Sequence, residues 1–172
     1  MRVHLNKLVA AIIIAFGPSV SNASVMDFTG MSNFANYSQN GINMVSGSVW
    51  NWPGTNMAHM DNGVATFTLA SGADFNLDSV FMVAGGGNGP ARFTAFNNGT
   101  NFGFVDVSGS AGIFSFGSIF DGIDTFTVSV VSSHFTFDDV TIVDSAAVPE
   151  PTTLSLIGLG FAGMGFRRRI AL

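Results

Sequence analysis

The chain contains no cysteine. That excludes a disulfide scaffold, thiol catalysis, and any Cys-ligated zinc or iron–sulfur centre. Cations are nearly as scarce. Between Ser24 and Val148 the only one is Arg92, against ten aspartates and no glutamate, a formal charge of −9 with histidine neutral. Such a body repels a phosphate backbone, so nucleic-acid binding is excluded. The lack of glutamate also leaves a poor set of groups for general acid–base work. No serine sits in a G-x-S-x-G elbow, and Gly85 to Pro90 lacks the lysine of a phosphate loop. That stretch reads as a flexible hairpin loop. Sustained 3.6-residue periodicity is missing as well, and no internal repeat is found. Phenylalanine is abundant: fifteen of the eighteen lie between residues 24 and 148.

The two ends read as addresses. Arg2 and Lys7 make a positive region, and Leu8 to Gly17 is an apolar run of ten residues. As a helix that run spans only ~15 Å, about half a bilayer core. Pro18 stops it, and Ser21 and Ala23 place small residues at −3 and −1 of a cleavage site before Ser24. Residues 1–23 are therefore expected to be a signal peptide removed by signal peptidase, the alternative being a retained N-terminal anchor. At the other end, Pro149-Glu150-Pro151 precedes the fifteen-residue apolar run Thr152 to Phe166, which is followed by Arg167, Arg168 and Arg169. The run would make a transmembrane helix of ~22 Å, short for a stable span. Four glycines weaken it further. The arginine cluster is a stop signal that stays in the cytoplasm.

Proline–glutamate–proline, a short glycine-containing apolar helix and a terminal arginine cluster, in that order, resemble the PEP-CTERM sorting signal. The resemblance covers residues 148–172. It implies a Gram-negative bacterium that makes exopolysaccharide. It also implies export across the inner membrane, transient anchoring, and cleavage by an exosortase. Proteins with this signal are secreted or retained at the cell surface, often within a biofilm matrix.

The remaining segment, 24–147, shows period-two alternation. In Val64 to Leu69, Ala65, Phe67 and Leu69 share one face; in Asp124 to Val130, Phe126, Val128 and Val130 do. Phe93 and Ala95 oppose Arg92 and Thr94. Further strands are expected over 25–28, 42–45, 49–52, 80–84, 102–107, 113–116 and 135–143. About ten short strands separated by turn clusters predict an all-β, antiparallel β-sandwich, with a jelly roll favoured over an immunoglobulin-like arrangement. Its core would be phenylalanine.

Three features carry candidate chemistry. In Phe135 to Val143 the apolar parity switches from odd (Phe135, Phe137) to even (Val140, Ile142) across Asp138-Asp139. One strand cannot exchange faces without a bulge there. Adjacent carboxylates at a bend suit a hard cation such as calcium. The pattern resembles the closing strand of jelly-roll carbohydrate-binding modules. In those modules a late aspartate and an acidic residue of the first strand share a structural Ca2+. Asp27 is the first-strand counterpart here, and the alternative is that the aspartates are solvated or accept backbone N–H bonds. Second, Trp50 and Trp52 project to one side of a strand. Exposed, they would stack sugar rings, with Tyr37 adding a hydrogen bond; otherwise they belong to the core. Third, His59 and Asp61 share strand parity, which suggests a metal or acid–base pair. With His134 the only other histidine of the domain, they read instead as surface polar residues near a turn.

These features predict a non-enzymatic, secreted matrix or surface protein that binds glycan, with exopolysaccharide as its partner. The alternatives are a glycan-active enzyme on the same fold and a structural matrix protein without a ligand.

Overall fold

A computed structural model describes residues 22–83, 89–108 and 111–145. They belong to one compact unit, Ser21–Ser145. The expected signal helix, the transmembrane helix, the proline–glutamate–proline motif and the arginine cluster lie outside the described residues, as does most of the glycine-rich loop. No helix among the described residues is long and apolar enough to cross a membrane.

The unit is all-β, with two antiparallel sheets facing one another. Its strands are β1 (Ala23–Met26), β2 (Tyr37–Gln39), β3 (Ile42–Val45), β4 (Val49–Asn51), β5 (Ala58–Met60), β6 (Val64–Leu69), β7 (Phe75–Met82), β8 (Ala91–Asn97), β9 (Thr100–Val107), β10 (Gly112–Ser115), β11 (Thr125–Val130) and β12 (Phe135–Asp144). One sheet runs β10-β7-β12-β5-β4, and β1 also pairs with β12. The other runs β2-β3-β6-β11-β8-β9.

Alternation places the core between them. Ala65, Phe67 and Leu69 of β6 point inward beside Phe126 and Val128 of β11 and Phe93 and Ala95 of β8. Phe67 and Phe126 stack with ring centroids 4.6 Å apart and planes 3° from parallel. Phe93 continues the stack beside Phe126, and Phe135 and Phe137 meet it from the opposite sheet. Each such ring, fully buried, contributes roughly 2–3 kcal/mol of burial free energy. With no disulfide to constrain the unfolded chain, this aromatic filling carries the sandwich.

The parity switch in β12 is a bulge. Pairing with β7 slips between Asp138 and Thr141, and Asp139 adopts φ +45°. β7 flips too: Phe75 and Leu77 are buried before Asp78-Ser79, Val80 and Met82 after it. The facing irregularities keep Phe75, Leu77, Val80 and Met82 of β7 and Phe135, Phe137, Val140 and Ile142 of β12 in the core. On its other side β12 pairs with β5 before the bulge, through Phe135 to Phe137, and with β1 after it, through Val140 to Val143.

Candidate functional site

Three neighbouring strands build a cluster on the outer face of the first sheet. In β4, Val49 is buried in the core, so Trp50 projects outward. In β5, Ala58 and Met60 enter the core and His59 faces the other way. In β12, Thr136 follows the same rule between Phe135 and Phe137. The register sets Trp50 opposite His59 and His59 opposite Thr136, forming one cross-strand row. Each strand, with its flanking residues, contributes an i, i+2 pair: Trp50 and Trp52, His59 and Asp61, His134 and Thr136.

The indoles of Trp50 and Trp52 stack on each other, centroids 5.4 Å apart and planes 28° from parallel. Neither is a core residue. Trp52 is 41% exposed and Trp50 is half-buried. Both rings also lean on the imidazole of His59, at 4.5 Å for Trp50 and 4.4 Å for Trp52. This cover leaves His59 only 1% exposed although it points away from the core. The expectation of a surface histidine near a turn is thus corrected: the two tryptophans shelter it. His134 closes the other side, its ring 5.0 Å from that of His59.

Both nitrogens of His59 are engaged. Nδ1 lies 2.6 Å from Thr136 Oγ1 and Nε2 lies 3.1 Å from Asp61 Oδ1. Burial pushes the His59 pKa down, and repulsion from His134 adds to this. The hydrogen bond and charge of Asp61 oppose it without reversing it. The ring is therefore neutral at neutral pH. Among the described residues, His59, Asp61 and His134 form the group of three donors that could hold a metal ion, with ligand atoms all within 4.8 Å of one another. Among the described residues no second carboxylate belongs to this group of donors.

Tyr37 lies in the other sheet. Its ring stacks on Phe28, and its hydroxyl donates to the carbonyl of Thr29 at 2.5 Å. It supports the core edge and is not part of the tryptophan cluster.

Asp27, Asp138 and Asp139 gather where β1 meets the bulge of β12. Asp27 accepts hydrogen bonds from the Gln39 side-chain amide and, at 3.0 Å, from the Thr29 N–H. Together these hold its carboxyl below the usual range, Gln39 contributing most. Asp138 is pushed the other way, to about 6. Burial is the main cause, and the negative charges of Asp139 and Asp27 add to it, while the Asp139 N–H bond opposes. The three are close enough to repel, but they do not draw their oxygens into a compact donor set like that around His59. Beside them a shallow depression of about 290 Å3 is lined by Val25, Ser79, Phe81, Ile113, Asp139 and Thr141.

On the second sheet Arg92, the sole cation of the segment, is tied down. Its Nε and Nη2 donate to Asp106 at 2.8 and 2.9 Å, and its guanidinium lies 3.9 Å over the Phe104 ring. The rest of the charge on this unit is carboxylate.

The strand spacing of the tryptophans was readable from sequence. The union of His59 with His134 was not, because it depends on β5 and β12 pairing. The available signal was the shared i, i+2 spacing of the three pairs. No curated protein matches the chain. Residues 147–169 match the PEP-CTERM protein-sorting motif, and the chain is thereby identified as carrying the sorting signal of an exosortase substrate.

Proposed function

We propose that the β-sandwich is a non-enzymatic glycan-binding module, delivered to the cell surface or extracellular matrix by its sorting signal and held there in exopolysaccharide. One observation carries this reading: half-buried Trp50 and exposed Trp52 form a stacked pair on the outer face at the edge of a sheet. An exposed indole pair offers an apolar plane to the C–H face of a pyranose. Trp52 follows β4, an outermost strand of its sheet, so a polymer can approach from the side.

The jelly-roll reading belongs with this proposal. What supports it is the order β5-β12-β7-β10 in one sheet and β6-β11-β8-β9 in the other, within the larger sheets. Such an order fits the interleaving of two Greek keys. A structural Ca2+ at Asp27, Asp138 and Asp139 is the remaining part, supported by the nearness of the three carboxylates, whose repulsion adds to the burial that raises the Asp138 pKa. Export by way of signal peptidase, with the inner membrane as a temporary anchor, completes the route.

The test is binding of purified protein to the producer's exopolysaccharide in affinity gels, with Trp50→Ala and Trp52→Ala alongside. Stacking of an aromatic ring is worth roughly 0.5–1.5 kcal/mol beyond area burial, so each variant should lose at least about two- to tenfold in affinity. Equal retardation of all three proteins rejects the platform. Co-purification with polysaccharide without measurable affinity favours a structural matrix role.

A further inference from the structure

We propose that His59, Asp61 and His134 form a binding site for a divalent transition-metal ion of the zinc class, sheltered by Trp50 and Trp52. This goes beyond the glycan reading and does not depend on it.

The donor set is the first argument. Two imidazoles and one carboxylate are ligands that Zn2+, Ni2+ and Cu2+ favour and that Ca2+ and Mg2+ do not. Their ligand atoms already lie within 4.8 Å of one another. Donors around a tetrahedral zinc stand ~3.3 Å apart, given Zn–N distances of about 2.0–2.1 Å. His59 Nε2 and Asp61 Oδ1 are at 3.1 Å without any adjustment. The remaining closure falls to His134, which is half-buried and lies just before β12 rather than inside it.

Positioning is the second argument. A metal-ligating histidine usually has its other nitrogen fixed by a hydrogen bond. Thr136 Oγ1, 2.6 Å from Nδ1, supplies that bond to His59. A hydroxyl both donates and accepts, so the pair accommodates two states. Without metal, Nε2–H donates to Asp61 and Nδ1 accepts from Thr136. With metal, Nε2 offers its lone pair to the ion, and the proton resides on Nδ1, donating to Thr136. The imidazole changes tautomer and releases no proton. Thr136 is a positioning residue in this scheme.

Three protein ligands leave a coordination position open to water or to a ligand hydroxyl. The only two tryptophans of the chain both lie against His59, which gives the site its own reporter.

The experiment titrates purified full-length protein with Zn2+ by calorimetry, in excess Ca2+, and with Ni2+ by tryptophan fluorescence. Asp61→Asn and His134→Ala are run beside it, with His4→Ala, a change at the chain's remaining histidine within the expected signal peptide, as the control. Expected are Zn2+ binding that survives excess Ca2+ and Ni2+ quenching of the indoles. Both should weaken at least tenfold in Asp61→Asn and His134→Ala, and neither should change in His4→Ala. Melting without metal checks that each variant folds. The Asp61 side chain is 61% exposed, so Asp61→Asn keeps the test valid if His134→Ala does not fold. Absence of Zn2+ binding overturns the proposal. So does binding or quenching that is equal in wild type and Asp61→Asn, or that is lost in His4→Ala.

Discussion

Replacing Asp138 by asparagine should stabilise this protein, and only above a defined pH. The carboxyl is half-buried at the β12 bulge, close enough to Asp139 and Asp27 to feel both charges, and its pKa rises to about 6. In the unfolded chain an aspartate titrates near ~3.9. Between those two values the native state binds more protons than the unfolded state, so stability falls as pH rises through the window. Above the folded pKa the whole cost is present; below ~4 it is gone. At full strength such a displacement would represent ~3 kcal/mol, but water screens a half-exposed carboxyl, which leaves about 1 kcal/mol. Asparagine keeps the Oδ1 that accepts the Asp139 N–H at 2.9 Å and removes the charge. Thermal melts of both proteins from pH 4 to pH 8 measure the difference. For a domain of this size about 1 kcal/mol moves Tm by ~3–6 °C. The asparagine variant should lead by that much at pH 8 and converge with wild type near pH 4. Asp106, whose pKa is lowered by Arg92, contributes the opposite slope to both proteins alike. A constant offset at every pH, or none, refutes the reasoning. Calcium adds a second arm: if the three aspartates hold Ca2+, the ion raises the wild-type Tm at pH 8 and not that of the variant.

Two further substitutions probe the core and the support of the metal cluster. Phe126→Ala removes a ring stacked on Phe67 and in edge contact with Phe75, in a site with no exposure, and should cost ~3–5 kcal/mol in urea unfolding. Gly89→Ala places a Cβ 1.8 Å from the backbone oxygen of Ser132, which cannot rotate aside. Because the Gly89 N–H also holds the His134 carbonyl at 2.8 Å, the variant should displace that segment. The expected cost is roughly 1–3 kcal/mol, and Ni2+ quenching of the tryptophans should weaken with it.

The sequence exposes what depends on local order and hides what depends on pairing. VATFTL and DTFTVSV announce β6 and β11 because each keeps one apolar face without interruption. The parity switch at Asp138-Asp139 announces its bulge for the same reason. The matching switch at Asp78-Ser79 is equally present, yet the expected strand began only at Val80, so Phe75 to Ser79 of β7 went unread. β2 and β5 are three residues each, too short for alternation to register. β5 is also the strand that brings His59 to Thr136, its partner seventy-seven positions away. Burial of a polar side chain on the outer face has no local signature. It arises because Trp50 and Trp52, from the next strand, cover it.

Pairing between β1 and β12 also bears on the sorting of this protein. Ala23, the residue before the expected signal-peptidase cut, stands opposite Val143, and the Asp144 N–H donates to the Asn22 carbonyl at 3.1 Å. The two ends of the sandwich therefore leave it side by side, at one end of the same ladder. A cut after Ala23 removes that terminal bond and leaves Ser24, Val25 and Met26 paired with Ile142, Thr141 and Val140. Met26, the strand's contribution to the core, stays in place. At the other end the sorting motif begins at residue 147, past the last strand, which ends at Asp144. Among the described residues, the cut after Ala23 thus removes an edge hydrogen bond and no buried side chain. The ladder that brings the two ends together also keeps the cut after Ala23 outside the core.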